Sequence, residues 1–97
     1  MLARSLKTFL TVARTGSFTR AAEEVHLAQS SVSDQIQALE AELGVSLFKR
    51  SRTGLALTRA GEILQPYAEE LLLMAHEART AIAVAAQVGG SVTIGAL

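Results

Sequence analysis

The sequence predicts a mainly α-helical fold: three helices closed by a small β-hairpin, then one long helix. Three observations predict it. Apolar residues recur at three- and four-residue spacing along most of the chain, glycines stop the helical pattern at 16 and 44, and a single basic turn over 49–54 interrupts it. At 97 residues the chain holds one small domain, with at most an appendage. Hydrophobic residues make up 49% and charged residues 19%, with one Pro, which is the composition of a folded chain rather than a disordered one.

The first helix is expected over 2–14, where Leu2, Leu6, Phe9, Leu10 and Ala13 share a face and Arg4, Lys7 and Arg14 lie off it. Thr15-Gly16 ends it, and Ser17 is placed to cap a second, short helix whose inward stripe is Phe18, Ala21, Ala22 and Val25. That helix fades at His26-Leu27-Ala28. A third begins at Gln29, with Val32, Ile36, Leu39 and Leu43 as its buried stripe and Gly44 as its stop. Val45, Leu47 and Phe48 are expected to return to the core. Lys49-Arg50-Ser51-Arg52-Thr53-Gly54 then makes a basic turn, closed into a hairpin by Leu55-Ala56-Leu57. Thr58 is the expected cap of a fourth helix running to about Val88, roughly 45 Å at 1.5 Å per residue. Pro66 lies inside it and predicts a kink or loosened turn near Glu62. Gly89-Gly90 ends it, and 91–95 alternate like the start of a strand. A lone terminal strand has no partner here, so the chain reads as the front piece of a longer protein: 1–58 a compact domain, 59–88 a linking helix, 89–97 the start of another domain.

Several function classes drop out. Without Cys there is no disulfide scaffold and no thiolate metal site, and His26 and His76 stand too far apart in sequence to hold a metal alone. His76-Glu77 opens like a zinc-protease helix motif, but position 80 is Thr, so the second ligand is missing. No phosphate-cradling glycine loop and no nucleophile beside a base can be found, and Glu69-Glu70 reads as a solvated face. An enzyme is not expected. No apolar run approaches the roughly 18 residues of a membrane span, and the opening decapeptide is too short for a secretory signal. A cytoplasmic location is the expectation.

Charge is distributed unevenly. Residues 1–60 carry eight Lys/Arg against five acids, or +3, and residues 61–97 carry one base against four acids, or −3, which together give the net charge of zero. An anionic partner responds to the local field, so a basic front and an acidic rear suggest two surfaces with two tasks.

Residues 18–43 have the pattern of a helix-turn-helix. The outer face of the third helix, Gln29, Ser30, Ser33, Asp34 and Gln37, is polar and mostly short, suited to reaching base edges in a major groove. Taken alone such a face also describes any solvated helix. The basic hairpin directly after it, Lys49 to Arg52, stands where a wing stands in winged-helix proteins and suits phosphates or a minor groove.

These residues also carry a resemblance. Leu6-Lys7-x-Phe9, Gly16-Ser17-Phe18-Thr19-x-Ala21-Ala22, Gln29-Ser30-Ser31-Val32-Ser33-x-Gln35-Ile36-x-x-Leu39-Glu40-x-x-Leu43-Gly44-Val45-x-Leu47-Phe48-x-Arg50 and Leu57-Thr58-x-Ala60-Gly61 resemble, in order and without a gap, the amino-terminal region of LysR-type transcriptional regulators. The resemblance covers about residues 2–67 and implies a bacterial, nucleoid-associated DNA-binding protein: a winged helix-turn-helix followed by a long dimerisation helix. It implies a homodimer on an interrupted palindrome of double-stranded DNA, commonly paired again into a tetramer. It also implies a small-molecule effector bound by a further domain, with no cofactor in the present residues. Carried over by position, it assigns Gln29, Ser30 and Ser33 to the reading helix, Ser17 and Thr19 to the backbone approach of the second helix, and Arg50 and Arg52 to the wing; Arg20, Ser31, Asp34, Gln37 and Lys49 beside them complete the expected DNA-binding set. Two positions depart from the family pattern: Ser30 replaces a common Pro, and Asp34 replaces a common base. An anion there repels phosphates unless it accepts from a cytosine amino group or pairs with a cation, for which Arg20 is the nearest candidate in sequence. Ala28 replaces a common capping Ser, so the third helix is expected to start less firmly.

The long helix offers the second surface. Leu64, Tyr67, Leu71, Met74, Ala78, Ala81, Ala85 and Val88 alternate steps of three and four, the repeat of a coiled coil, with Ile82 beside them. Large residues lead and Ala follows, so an antiparallel pair lays large against small. Leu64 and Tyr67 are expected to pack on their own domain, and the positions from Leu71 onward on a second copy. The competing reading is a helical interaction module that assembles through this stripe and has little to do with DNA. Such a module has no need of an arginine hairpin beside a short-side-chain helix face.

Overall fold

The computed structural model describes residues 2–89. Helices α1 (Leu2–Thr15), α2 (Phe18–Val25) and α3 (Gln29–Leu43) precede strands β1 (Phe48–Ser51) and β2 (Gly54–Leu57), and α4 (Arg59–Gly89) follows. The strand expected over 91–95 lies outside the described residues.

Helix α1 is the centre of the fold and packs on α2, α3 and α4. Its buried surface is therefore wider than the stripe read from the sequence. Leu6 and Phe9 are buried as expected and Leu10 and Ala13 are half-buried, but Val12, Thr8 and Thr11 are buried too. The two threonines sit inside without orphaned hydroxyls: Thr8 Oγ1 donates to Gln35 Oε1 of α3 at 2.5 Å, and Thr11 Oγ1 donates to the Lys7 carbonyl at 2.9 Å. Complete burial of Phe9, Val12, Val32 and Leu47 contributes about 1.5–3 kcal/mol for each side chain.

Helix α2 starts where the sequence indicated, with Ser17 Oγ accepting the Arg20 N–H at 3.2 Å. Ala21 and Ala22 are buried, and with no side chain beyond Cβ they let α2 lie close to α1 and α3. The helix closes at His26, which takes the left-handed conformation (φ 59°) usually left to Gly or Asn. The three residues 26–28 form the turn into α3.

Helix α3 buries Val32, Ile36 and Leu39. Leu43 and Val45, both expected in the core, are instead 47% and 44% exposed. Gly44 explains this. At φ 74° it turns the chain sharply off the helix, so that Leu47 (0% exposed) and Phe48 are the residues carried inward. The Phe48 ring stands 5.4 Å from Phe9 and 6.2 Å from Phe18, joining β1 to the helices. Strands β1 and β2 pair antiparallel from Phe48↔Leu57 to Ser51↔Gly54.

Thr58 caps α4 as expected: its Oγ1 accepts the Gly61 N–H at 3.1 Å while donating to the Ser46 carbonyl at 2.6 Å. Gly61 is buried, and a Cβ at this position would lie 2.4 Å from the Leu47 carbonyl oxygen. Only glycine admits this approach of α4 to Leu47, just ahead of β1, and to Leu57 of β2. Ala68 is fully buried, and Leu64 and Leu72 pack on the same core, so the first half of α4 belongs to the compact body. The helix is continuous through Pro66, and the missing Pro66 N–H loosens it at Glu62, as expected there. Pro66 is exposed, on the side away from the core, where its ring has room and the one missing N–H leaves the Glu62 carbonyl free of that bond. No helix among the described residues is long and apolar enough to cross a membrane.

Candidate nucleic-acid interface

The sequence-selected polar residues gather on one side of the molecule. Gln29, Ser30, Asp34 and Gln37 are exposed on α3, and Ser33 is half-buried beside them. A shallow groove of about 250 Å³ runs between α3 and the hairpin, lined among others by Ser33, Gln37, Lys49 and Arg50. The reading face and the wing therefore meet along a shared edge. Lys49, Arg50 and Arg52 are exposed, and none forms an ion pair among the described residues. Ser31 differs: it is half-buried on the flank of α3 rather than on its outer ridge.

The junction of α2 and α3 is held by a side-chain bond. Thr19 Oγ1 donates to Gln29 Oε1 at 3.2 Å, so these two residues support one another at the helix-turn-helix corner. Ser17 acts first as the α2 cap. Ala28 provides no side-chain cap for α3, which leaves the first amides of that helix open to an outside acceptor.

Arg20 is exposed and makes no ion pair with Asp34; among the described residues neither has a charged partner. Arg20 follows Thr19, which meets the very first residue of α3, whereas Asp34 lies five residues farther on, about 7.5 Å along the axis and about 140° around it. Two cations do find carboxylates among the described residues: Arg59 pairs with Glu62 within α4, and Arg14 with Glu24 across α1 and α2. Their shared hydrogen bond raises the Arg14 pKa and holds Glu24 below the ordinary carboxylate value. Both groups are solvent-exposed, so the pair adds little to stability.

Two positioning residues escaped the sequence reading, and a third, Thr58, makes a bond beyond the cap read for it. Gln35 ties α3 to α1 through Thr8. Glu40 Oε2 accepts the Leu47 N–H at 2.7 Å and so fixes the end of α3 against the entry to β1. Thr58 links the opening of α4 to Ser46. A Glu on a helix face looks solvated in sequence, because nothing local reveals a backbone donor seven residues on.

The stripe on α4 divides. Leu64 packs against its own core, but Tyr67 does not and is 61% exposed. Leu71, Met74, Ala78, Ala81, Ile82 and Ala85 are all exposed, and Leu73 and Val84 add apolar surface on another side. A groove of about 330 Å³ bounded by Tyr67, Leu71 and Met74 runs along this helix. The side chain of Val88 is outside the described set.

Residues 3–62 match the model of the bacterial regulatory helix-turn-helix proteins of the lysR family. The HTH-type transcriptional regulator HdfR of Escherichia coli O139:H28 is 54% identical over 78 residues, covering 80% of this chain and 28% of the regulator. The chain thus spans under a third of the length of the curated relatives it matches. Among solved structures, CbnR, a LysR family transcriptional regulator, superposes with a TM-score of 0.84 at 40% identity, over 89% of this chain and 30% of that one. The CbnR DBD in its DNA complex gives 0.81 at 40% identity and 99% coverage of that chain. The BenM DBD bound to catB site 1 DNA gives 0.82 at 35% identity, covering 89% of this chain and 96% of that one.

Proposed function

The chain belongs to the lysR family of bacterial regulatory helix-turn-helix proteins, and on that footing we propose that its described residues form a sequence-specific DNA-binding module of a transcriptional regulator. Helix α3 enters the major groove, and the hairpin lies on the backbone or in the adjoining minor groove. The observation that carries this is the shared edge between the outer face of α3 and two unpaired cations of the wing, Lys49 and Arg50, with Arg52 exposed farther along the hairpin. Short polar side chains can approach base edges, while Lys49, Arg50 and Arg52 hold the register on phosphates. The likeness to two DNA-bound domains over nearly their whole length supports the same orientation.

We assign pairing of two copies to the exposed stripe of α4 from Tyr67 to Ala85, which has no partner among the described residues. A two-fold pair presents two reading helices and calls for an interrupted palindrome. Selection of bound duplexes from a random pool, with the winners titrated at two salt concentrations, tests the whole reading. Enrichment of two related half-sites with affinity falling steeply as salt rises is the expected result. A well-folded chain that enriches nothing sinks it.

A further inference from the structure

We propose that Asp34 selects one base pair within each half-site by accepting a hydrogen bond from the amino group of cytosine. The inference deepens the DNA-reading function above and rests on it. At about 100° per residue, Ser30, Asp34, Gln37 and Ala41 fall on the side of α3 opposite Val32, Ile36 and Leu39, the buried stripe. Asp34 is the one charged residue on that ridge, is exposed, and has no hydrogen bond or ion pair among the described residues. Ala38 and Ala41 beside it are exposed and small, so the helix can sink far enough for a carboxylate on a single methylene to reach a base edge.

The chemistry of the groove decides what it reads. An ionised carboxylate only accepts, so guanine O6 and N7 and thymine O4 repel it. Two exocyclic amines remain. The adenine amine lies between two acceptors, its own N7 and the thymine O4 of its pair. The cytosine amine has guanine O6 on one side only, with the C5–H edge open on the other. Cytosine is therefore the base whose edge lets Asp34 gain a bond with least repulsion. The same carboxylate repels phosphates, so a site lacking the cytosine gains nothing to offset that repulsion, and the residue acts by exclusion as well as by contact.

The test selects duplexes with the full chain and with Asp34→Ala from one random pool. Asp34 has no partner to lose, and equal melting temperatures verify that the fold is kept. The wild-type motif is expected to hold one cytosine per half-site, preferred about tenfold, and Asp34→Ala to lose that preference alone. A second measurement needs no variant: N4-methylcytosine at that position replaces the amino hydrogen facing the groove while keeping the base pair, and is expected to weaken wild-type binding about tenfold. Identical motifs from both proteins, or an equal gain in affinity for all duplexes with Asp34→Ala, overturns the inference and leaves DNA reading intact. No motif from the wild-type chain overturns DNA reading and the inference together.

Discussion

The Glu40 carboxylate accepts the backbone N–H of Leu47 at 2.7 Å and so locks the last full turn of α3 to the strand that begins the wing. Leu47 is fully buried and β1 starts at the next residue. One side chain therefore sets the angle between the two surfaces proposed to meet DNA. Glu40→Ala is expected to lower stability by about 1–2 kcal/mol, since it orphans a buried amide. Glu40→Gln keeps an acceptor and should retain most of that. Chemical denaturation of the three proteins compares them directly, and an unchanged Glu40→Ala midpoint would remove Glu40 from this role.

Gly61→Ala is expected to destabilise by about 1–3 kcal/mol even though Ala favours a helix by about 1 kcal/mol. The added Cβ would stand 2.4 Å from the Leu47 carbonyl oxygen and 2.7 Å from Leu57 Cδ2. One of these neighbours is backbone and cannot step aside. A thermal melt decides it: a higher midpoint than wild type would show that α4 can lift from Leu47 and Leu57 freely.

Arg52→Ala should weaken binding to every duplex alike and lower the slope of log affinity against log salt by about one. Gln37→Ala should instead relax preference at particular bases with little change in slope. Parallel salt titrations on a selected site and a scrambled one separate the two behaviours. If both variants changed the slope equally, the division between holding residues and reading residues would fail.

Leu71→Glu combined with Met74→Glu is expected to raise the dimer dissociation constant by ~100-fold or more while leaving the helical spectrum unchanged, because both side chains stand outside the chain's own core. Ala68→Glu, by contrast, buries a charge in the core and should unfold the domain. Analytical ultracentrifugation beside circular dichroism reads both. A double variant that still paired as wild type would move the dimer contact elsewhere.

Much of this fold is legible from local chemistry. Ser17, Gly44 and Thr58 mark helix ends because capping and left-handed turns make demands that few residue types meet. The polar face of α3 and the arginine hairpin are legible for the same reason, since their residue types and order are local facts. What could not be read is non-local. Leu43 and Val45 continue an apolar rhythm, yet periodicity does not show how the turn at Gly44 redirects the chain, and both are exposed. Tyr67, expected to pack on its own domain, carries the same ambiguity and is likewise exposed. Thr8 and Gln35 look like surface residues until the fold brings them together. The Asp34–Arg20 pair failed on geometry along α3, which sequence separation alone does not measure.

The seating of α4 has a mechanical consequence. Its first half is built into the core through Gly61, Leu64, Ala68 and Leu72, and its second half projects beyond, with no break at Pro66. A single stiff lever thus carries the reading helix at one end and, in a pair, the partner's grip at the other. Over a helix of roughly 45 Å, a swing of about 5° at the grip moves the far end by about 4 Å. That is about a third of the width of a major groove. In the proposed pair, half-site spacing would be a setting of the angle between two such levers, and a force applied at the grip would change which DNA fits without touching any residue that meets a base.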